Sequence, residues 1–296
     1  LFTMKKILFV LVISLFSVVC LAQSKPMLLG ICSRADFEKE PYSTWFSKNY
    51  ADYMPSTEII SQLKSLDFKD YSIMIFLGTW CGDSHREVPR FVKVLDEIGF
   101  SQSAVTMVAL SNVDSVYKQS PTHEEQGRHI YRVPTFIVSK KGEEVNRIIE
   151  FPVLTLEQDL LAILRGDDYT PNYSSYVHIA NWLDKGYLTS DNISYRGLAN
   201  QIRGLTRSAG ELYTLGYVVS KQGAEGLKAA VNIYDITIYL YPDNYWAYAN
   251  LAIAMGEQGK YAQAAKLMQK VFEMNDNPKN IAQFLELYDI VRDRVD

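Results

Sequence analysis

The 296-residue sequence predicts an α/β sandwich followed by an all-α region. Three observations carry that reading. Apolar runs of strand length alternate with helix-period stripes between residues 57 and 164, a strand pair closes on Lys141-Gly142, and the pattern turns almost wholly helical beyond Pro171. Composition suits a folded chain: 48% hydrophobic and 22% charged, with 16 Gly and 10 Pro, excludes collagen-like and low-complexity classes. Thirty basic against 34 acidic residues give a net charge of −4 without a basic run, which speaks against nucleic acid or an anionic membrane surface as partner. Three cysteines are too few for a disulfide scaffold or a four-cysteine zinc site. Their positions must therefore supply their meaning.

Residues 1–22, LFTMKKILFVLVISLFSVVCLA, read as a secretory signal. Lys5 and Lys6 precede an apolar run too short for a comfortable membrane span, and Cys20-Leu21-Ala22 offers small residues for cleavage. Met4 reads as the start. Lipid attachment at Cys20 ranks below cleavage after Ala22, because Val19 stands where a small residue is wanted. The expectation is an exported protein, periplasmic or secreted, with no membrane role beyond export. It keeps two cysteines, Cys32 and Cys81.

Residues 23–55 are aromatic and weakly periodic and read as an ordered extension packed on the first domain, residues 56–166. Within that domain, 57–66 is helical, with Ile59, Ile60, Leu63 and Leu66 on one stripe. Residues 71–77 form a continuous apolar strand. A helix over 87–98 carries Val88, Phe91, Val92, Leu95 and Ile98, and 104–110 is a second strand. Residues 135–138 and 145–149 make a β-hairpin, and a helix over 154–164 stops at Gly166. These elements suggest a three-layer sandwich. Residues 167–173 read as a linker and 174–296 as a helical domain. There Leu215, Gly216, Ala230 and Tyr234 can be laid over Leu251, Ala252, Ala264 and Met268, offset by 36 residues in the first helix and 34 in the second. Residues 174–210 hold room for one degenerate earlier hairpin, and Asn277-Pro278 opens a final helix.

Chemistry concentrates at Trp80-Cys81-Gly82-Asp83-Ser84. Cys81 follows an apolar strand and opens a helix, so its sulfur meets unpaired backbone N–H groups and the positive end of the helix dipole, both of which favour thiolate. Pro89 lies five residues after Ser84, and Val133-Pro134-Thr135 begins the next strand, 53 residues from Cys81 to Pro134.

Over residues 56–166 these motifs resemble the thioredoxin superfamily: strand, Trp-Cys-Gly-X-(Cys/Ser), a helix containing Pro, then Val/Ile-Pro-Thr. Residues 210–292 resemble tetratricopeptide repeats, in which small residues let paired helices approach and Pro ends the second one. The first resemblance implies a cis Pro134 beside Cys81, a Val133 backbone that pairs with an extended client, and Trp80 shielding the thiol. Cys81 with Ser84 forms the implied catalytic pair. Trp80, Gly82, Asp83, Val133, Pro134 and Thr135 form the implied substrate surface.

Three departures shape the expected chemistry. Ser84 replaces the second cysteine, so Cys81 needs an external thiol reductant to leave a mixed disulfide. Ile75 stands where many thioredoxins bury a carboxylate, so that proton acceptor is missing. Asp83 opposes thiolate formation, whereas a protonated His85 would favour it. Cys32 reads as a small buried hydrophobe, with a resolving role toward Cys81 as the lesser reading. Cys81, His85, His123 and His129 are a poor metal set without a second cysteine, so neither metal nor cofactor is expected.

The leading expectation is an exported monothiol thiol–disulfide oxidoreductase acting on protein clients with thiols or disulfides, with the helical repeats offering a surface to a protein partner. The competing expectation is a noncatalytic binding or assembly module on the same scaffold.

Overall fold

The structure, a computed structural model, describes residues 26–190, 192–275 and 277–292. The signal expected in residues 1–22, with Cys20, lies outside them. Five strands form one mixed sheet in the order β1-β3-β2-β4-β5: β1 (Gly30–Cys32), β2 (Tyr71–Leu77), β3 (Val105–Ala109), β4 (Thr135–Lys140) and β5 (Glu143–Ile149). β2 runs parallel to β3 and antiparallel to β4, while β1 and β5 close the two edges antiparallel.

Strand alternation sorts side chains between two cores. Ile73, Ile75 and Leu77 of β2, with Phe136 and Val138 of β4, enter the larger core. Phe76 and Ile137, one residue out of phase, enter a smaller one with Val108, Leu110 and Val133. The helices of this region gather on the larger core: α1 (Arg34–Phe37), α2 (Ser43–Asp52), α3 (Thr57–Lys64), α4 (Gly82–Ile98) and α5 (Leu156–Arg165). Full burial of a side chain such as Phe91 or Leu63 contributes about 2–3 kcal/mol.

The expected third layer takes another form. Residues 110–134 cross the opposite face without an α-helix, carrying one short 3-10 turn at Asp114–Val116. Turn-forming Ser, Asn, Asp, Gly and Pro recur through that stretch, whose scattered apolar residues supply no helix-period stripe.

The extension preceding α3 is part of the sheet domain. β1 pairs with β3 through Gly30↔Ala109 and Cys32↔Met107. Phe37, Tyr42 and Phe46 are buried, and the buried carboxylate of Glu157 accepts from Tyr53 Oη at 2.6 Å and Ser56 N at 3.0 Å. An unpartnered carboxylate there would be costly, so these bonds fix where the extension enters α3.

The C-terminal region consists of α6 (Ser175–Asp184), α7 (Tyr195–Ile202), α8 (Ala209–Ser220), α9 (Gly223–Leu240), α10 (Tyr245–Glu257), α11 (Tyr261–Met274) and α12 (Pro278–Arg292). Positions matched by the sequence repeat share the same fate: Leu215 and Leu251, Ala230 and Ala264, and Tyr234 and Met268 are all buried. Gly216 is required where α8 meets α9, since a Cβ there would lie 2.5 Å from the Tyr234 ring. Among the described residues no helix is long and apolar enough to cross a membrane.

The two regions touch through aromatic and charged side chains. Tyr131, from the crossing segment, is buried among the helices and packs edge-on against Tyr176 at 5.5 Å. Gln119 Nε2 donates to the Lys221 carbonyl at 2.8 Å, and Asp114 accepts from Tyr217 and Lys221.

Candidate thiol site

Cys81 is the N-cap residue of the 17-residue α4, with φ −96° and ψ 125°. Its backbone is fixed from both sides: its N–H donates to Gly78 O at 2.9 Å and its carbonyl accepts from His85 N at 3.0 Å. Its side chain caps no backbone group. Instead Sγ lies 3.2 Å from the Val133 carbonyl, to which the thiol donates. The half-buried sulfur thus sits between a helix start and the residue preceding Pro134. The Val133–Pro134 peptide is cis.

The neighbouring motif residues divide into framework and surface. Gly78 is required for contact, because a Cβ there would meet the Trp80 ring at 2.6 Å. That approach lets Trp80 Nε1 donate to Leu110 O at 2.8 Å while its ring tilts against Tyr117 at 5.8 Å. Ser84 is fully buried, and its Oγ accepts from Gly78 N at 3.1 Å. That hydroxyl pins the first turn of α4 to the end of β2. Asp83 binds Arg86 at 2.7 Å, so its charge is shared before it can act on the thiol. A Cβ on Gly82 would meet nothing within 4 Å, which leaves open space above the helix start.

His85 does not join the thiol. Its Nε2 is 2.8 Å from Thr79 O and its ring stacks on Trp45 at 4.3 Å. Among the described residues no group of three or more His, Cys, Asp or Glu is arranged to hold a metal ion. Thr135 offers no free edge: it is buried, pairs with both Phe76 and Ile149, and donates through Oγ1 to Arg132 O at 2.8 Å. Pro134 O is likewise occupied, by Glu150 N at 2.7 Å. Among the expected docking residues on this segment, Val133 alone stands beside the thiol by a direct bond.

Comparison of the chain with protein-family models, with curated proteins and with solved structures finds no match in any of the three. The chemistry of the site therefore rests on its own geometry.

That geometry contains charged residues the motifs do not announce. Arg132 bonds Glu150 at 3.3 Å, Tyr176 Oη at 3.2 Å and Gly210 O at 3.3 Å, and lies over the Tyr173 ring at 4.8 Å. Burial pushes the Glu150 carboxyl up, against the pull of Arg132. Lys118 is 4% exposed, and its Nζ donates to Tyr131 O at 2.6 Å. Burial, reinforced by Arg132, presses its ammonium down to about 7, while Cys81 and Glu150 act in the opposite sense. Burial also raises the Tyr117 phenol, and the charge of Cys81 adds to that. Adjacency to Val133-Pro134 was the only sequence signal for Arg132. Lys118 had none, since it lies in an aperiodic segment.

Cys32 has a contrasting site. Its Sγ is 3.6 Å from Met107 O, and burial, with Asp36 nearby, pushes its thiol up to about 12. Both cysteines are free thiols.

Proposed function

We propose that this protein is an exported thiol–disulfide exchange protein whose α/β domain is thioredoxin-like and whose helical region is built of tetratricopeptide-like repeats. Cys81 is the nucleophile. The observation that carries this reading is the 3.2 Å bond from Cys81 Sγ to Val133 O at the head of α4. The strand order β1-β3-β2-β4-β5, with the thiol after the central β2, supports the fold assignment. Export is supported by the signal-like residues 1–22.

In the proposed cycle the Cys81 thiolate attacks one sulfur of a client disulfide. A Cys81–S bond forms, the client S–S bond breaks, and its electron pair leaves on the second client sulfur. Ser84 has no sulfur with which to close the cycle. An external thiol, either a small thiol or a protein dithiol, attacks the mixed disulfide and returns Cys81 to its reduced form. The client strand runs along Val133, flanked by Trp80 and Tyr117. Tyr217 of α8 stands 5.1 Å from Tyr117, so the helical region borders this proposed client path.

Insulin reduction driven by excess dithiothreitol tests the proposal. The wild-type protein should accelerate precipitation of the insulin B chain, and Cys81→Ala should abolish the acceleration. A Cys81→Ala protein as active as wild type would overturn the reading. A wild-type protein without activity would favour the noncatalytic binding module.

A further inference from the structure

The exchange proposal leaves a chemical gap. The Cys81 thiol must lose a proton, the departing client sulfur must gain one, and β2 places apolar Ile75 where a buried acid could have served. A buried amine, Lys118, is within electrostatic reach of the thiol. Residues 111–119 form a closed loop, pinned by Ser111 N to Gln119 O at 3.0 Å and by Lys118 N to Ser111 O at 2.8 Å. Lys118 adopts φ +57° within it, a left-handed conformation that few non-glycine residues take. Its side chain is almost fully enclosed and ends on Tyr131 O.

Tyr131 lies two residues before Val133, whose carbonyl accepts the Cys81 thiol. The ammonium and the thiol are therefore hung on one short segment, Tyr131-Arg132-Val133, and they interact electrostatically. Tyr131 O is the single hydrogen-bond acceptor of Nζ among the described residues, although an ammonium carries three protons. A buried ammonium with spare protons gains most from an anion that forms beside it.

We propose that Lys118 is the proton partner of Cys81. As a free amine it takes the thiol proton, and as an ammonium it holds the thiolate and then protonates the client sulfur that leaves. The S–H bond of Cys81 breaks and an N–H bond forms on Lys118, the proton crossing by way of solvent because the two groups are bonded to different carbonyls, with no change in the net charge of the pair. When the client disulfide opens, its electron pair and the Lys118 proton meet on the departing sulfur. This step rests on the exchange reading above.

Other charges around Lys118 set the balance. Arg132 opposes its charge and Glu150 supports it. Tyr117 places its ring 5.1 Å from Nζ. His123, Glu125 and Lys221 line, with Lys118 itself, a cavity of about 480 Å³. The downward pressure on the ammonium lets the free amine exist near neutral pH, as a proton acceptor requires.

Iodoacetamide alkylation of Cys81 between pH 5 and 10, in a Cys32→Ala background, reads the coupling. Lys118→Met should move the alkylation midpoint upward by about one pH unit and slow the reaction about tenfold at pH 7. Lys118→Arg should restore fast alkylation at low pH. Superimposable curves for the parent and K118M proteins would overturn the proposal. A carbon-13 titration of the lysine Cε signals needs no change at the buried site itself. One lysine should titrate near pH 7 and move downward in Cys81→Ser, and a lysine that ignores Cys81→Ser would also overturn the pairing. The two readings fail separately. Lys118-dependent alkylation without insulin reduction sinks exchange alone, whereas insulin reduction with Lys118-independent alkylation sinks the proton partner alone.

Discussion

Cys32 and Cys81 are both free thiols of one sheet domain, and both contact a main-chain carbonyl. Cys32 sits on the edge strand β1, packed on the larger core, with the charge of Asp36 acting on it. Cys81 sits at a helix N-terminus above the smaller core, with Lys118 within electrostatic reach. Burial and an acidic neighbour hold the first sulfur as thiol. The second sits at a helix start, bonded to the Val133 carbonyl and beside the open space over Gly82. The two sites differ in the charges and space around the sulfur, a difference that partial exposure alone does not separate.

The largest test of that contrast is deletion of each sulfur. Cys81→Ala should eliminate disulfide exchange, while Cys32→Ala should leave it near the wild-type rate. Equal losses would merge the two sites into one. Alkylation rates sharpen the same contrast: in the folded protein at pH 8, Cys81 should react on the order of a hundredfold faster than Cys32, read by peptide mass spectrometry.

A stability measurement probes the buried amine. Lys118 is charged in the unfolded chain up to about 10.5, while its folded-state value is pressed down to about 7. The unfolded chain binds the extra proton between those limits, so folding stability should rise with pH there, and the penalty is complete below 7. Denaturant unfolding from pH 7 to 9 should show a rise in wild type that Lys118→Met flattens. An equal slope in both proteins would place the charge elsewhere. Smaller again is Ser84→Ala, which leaves Gly78 N without its 3.1 Å acceptor and should cost about 1–3 kcal/mol in the same assay.

The strands and helices around Cys81 were legible because their periods are regular. Tyr71-Ser-Ile-Met-Ile-Phe-Leu77 is the observed β2, and the stripe from Val88 to Ile98 is the buried face of α4. In the helical region the positions matched by the sequence offset share burial, and Gly216 marks one close helix contact. β1 was not: three residues carry no alternation to detect, and its strand character comes from pairing with β3. The absence of a helix over 110–134 agrees with its lack of a helix-period stripe, whereas the burial of Tyr131 among α6, α8 and their neighbours has no counterpart in the local sequence pattern.

Among the site residues, those in Trp80-Cys81-Gly82-Asp83-Ser84 came from the motif, but their tasks did not. Ser84 is a buried tether and Asp83 is engaged by Arg86. Lys118, Arg132 and Glu150 are brought together by a loop, a strand start and a strand end far apart in sequence. A lysine in an aperiodic loop reads as surface, and only the fold shows it buried on the Tyr131 carbonyl.

The central claim is that Cys81 is the sulfur that exchanges with disulfides. Intact-mass spectrometry after brief incubation of the reduced protein with a disulfide-linked model peptide tests it directly. The account predicts a single peptide adduct, located at Cys81 by digestion, released by dithiothreitol and absent in Cys81→Ala. An adduct at Cys32, or an unmodified Cys81 after full reduction, would contradict it.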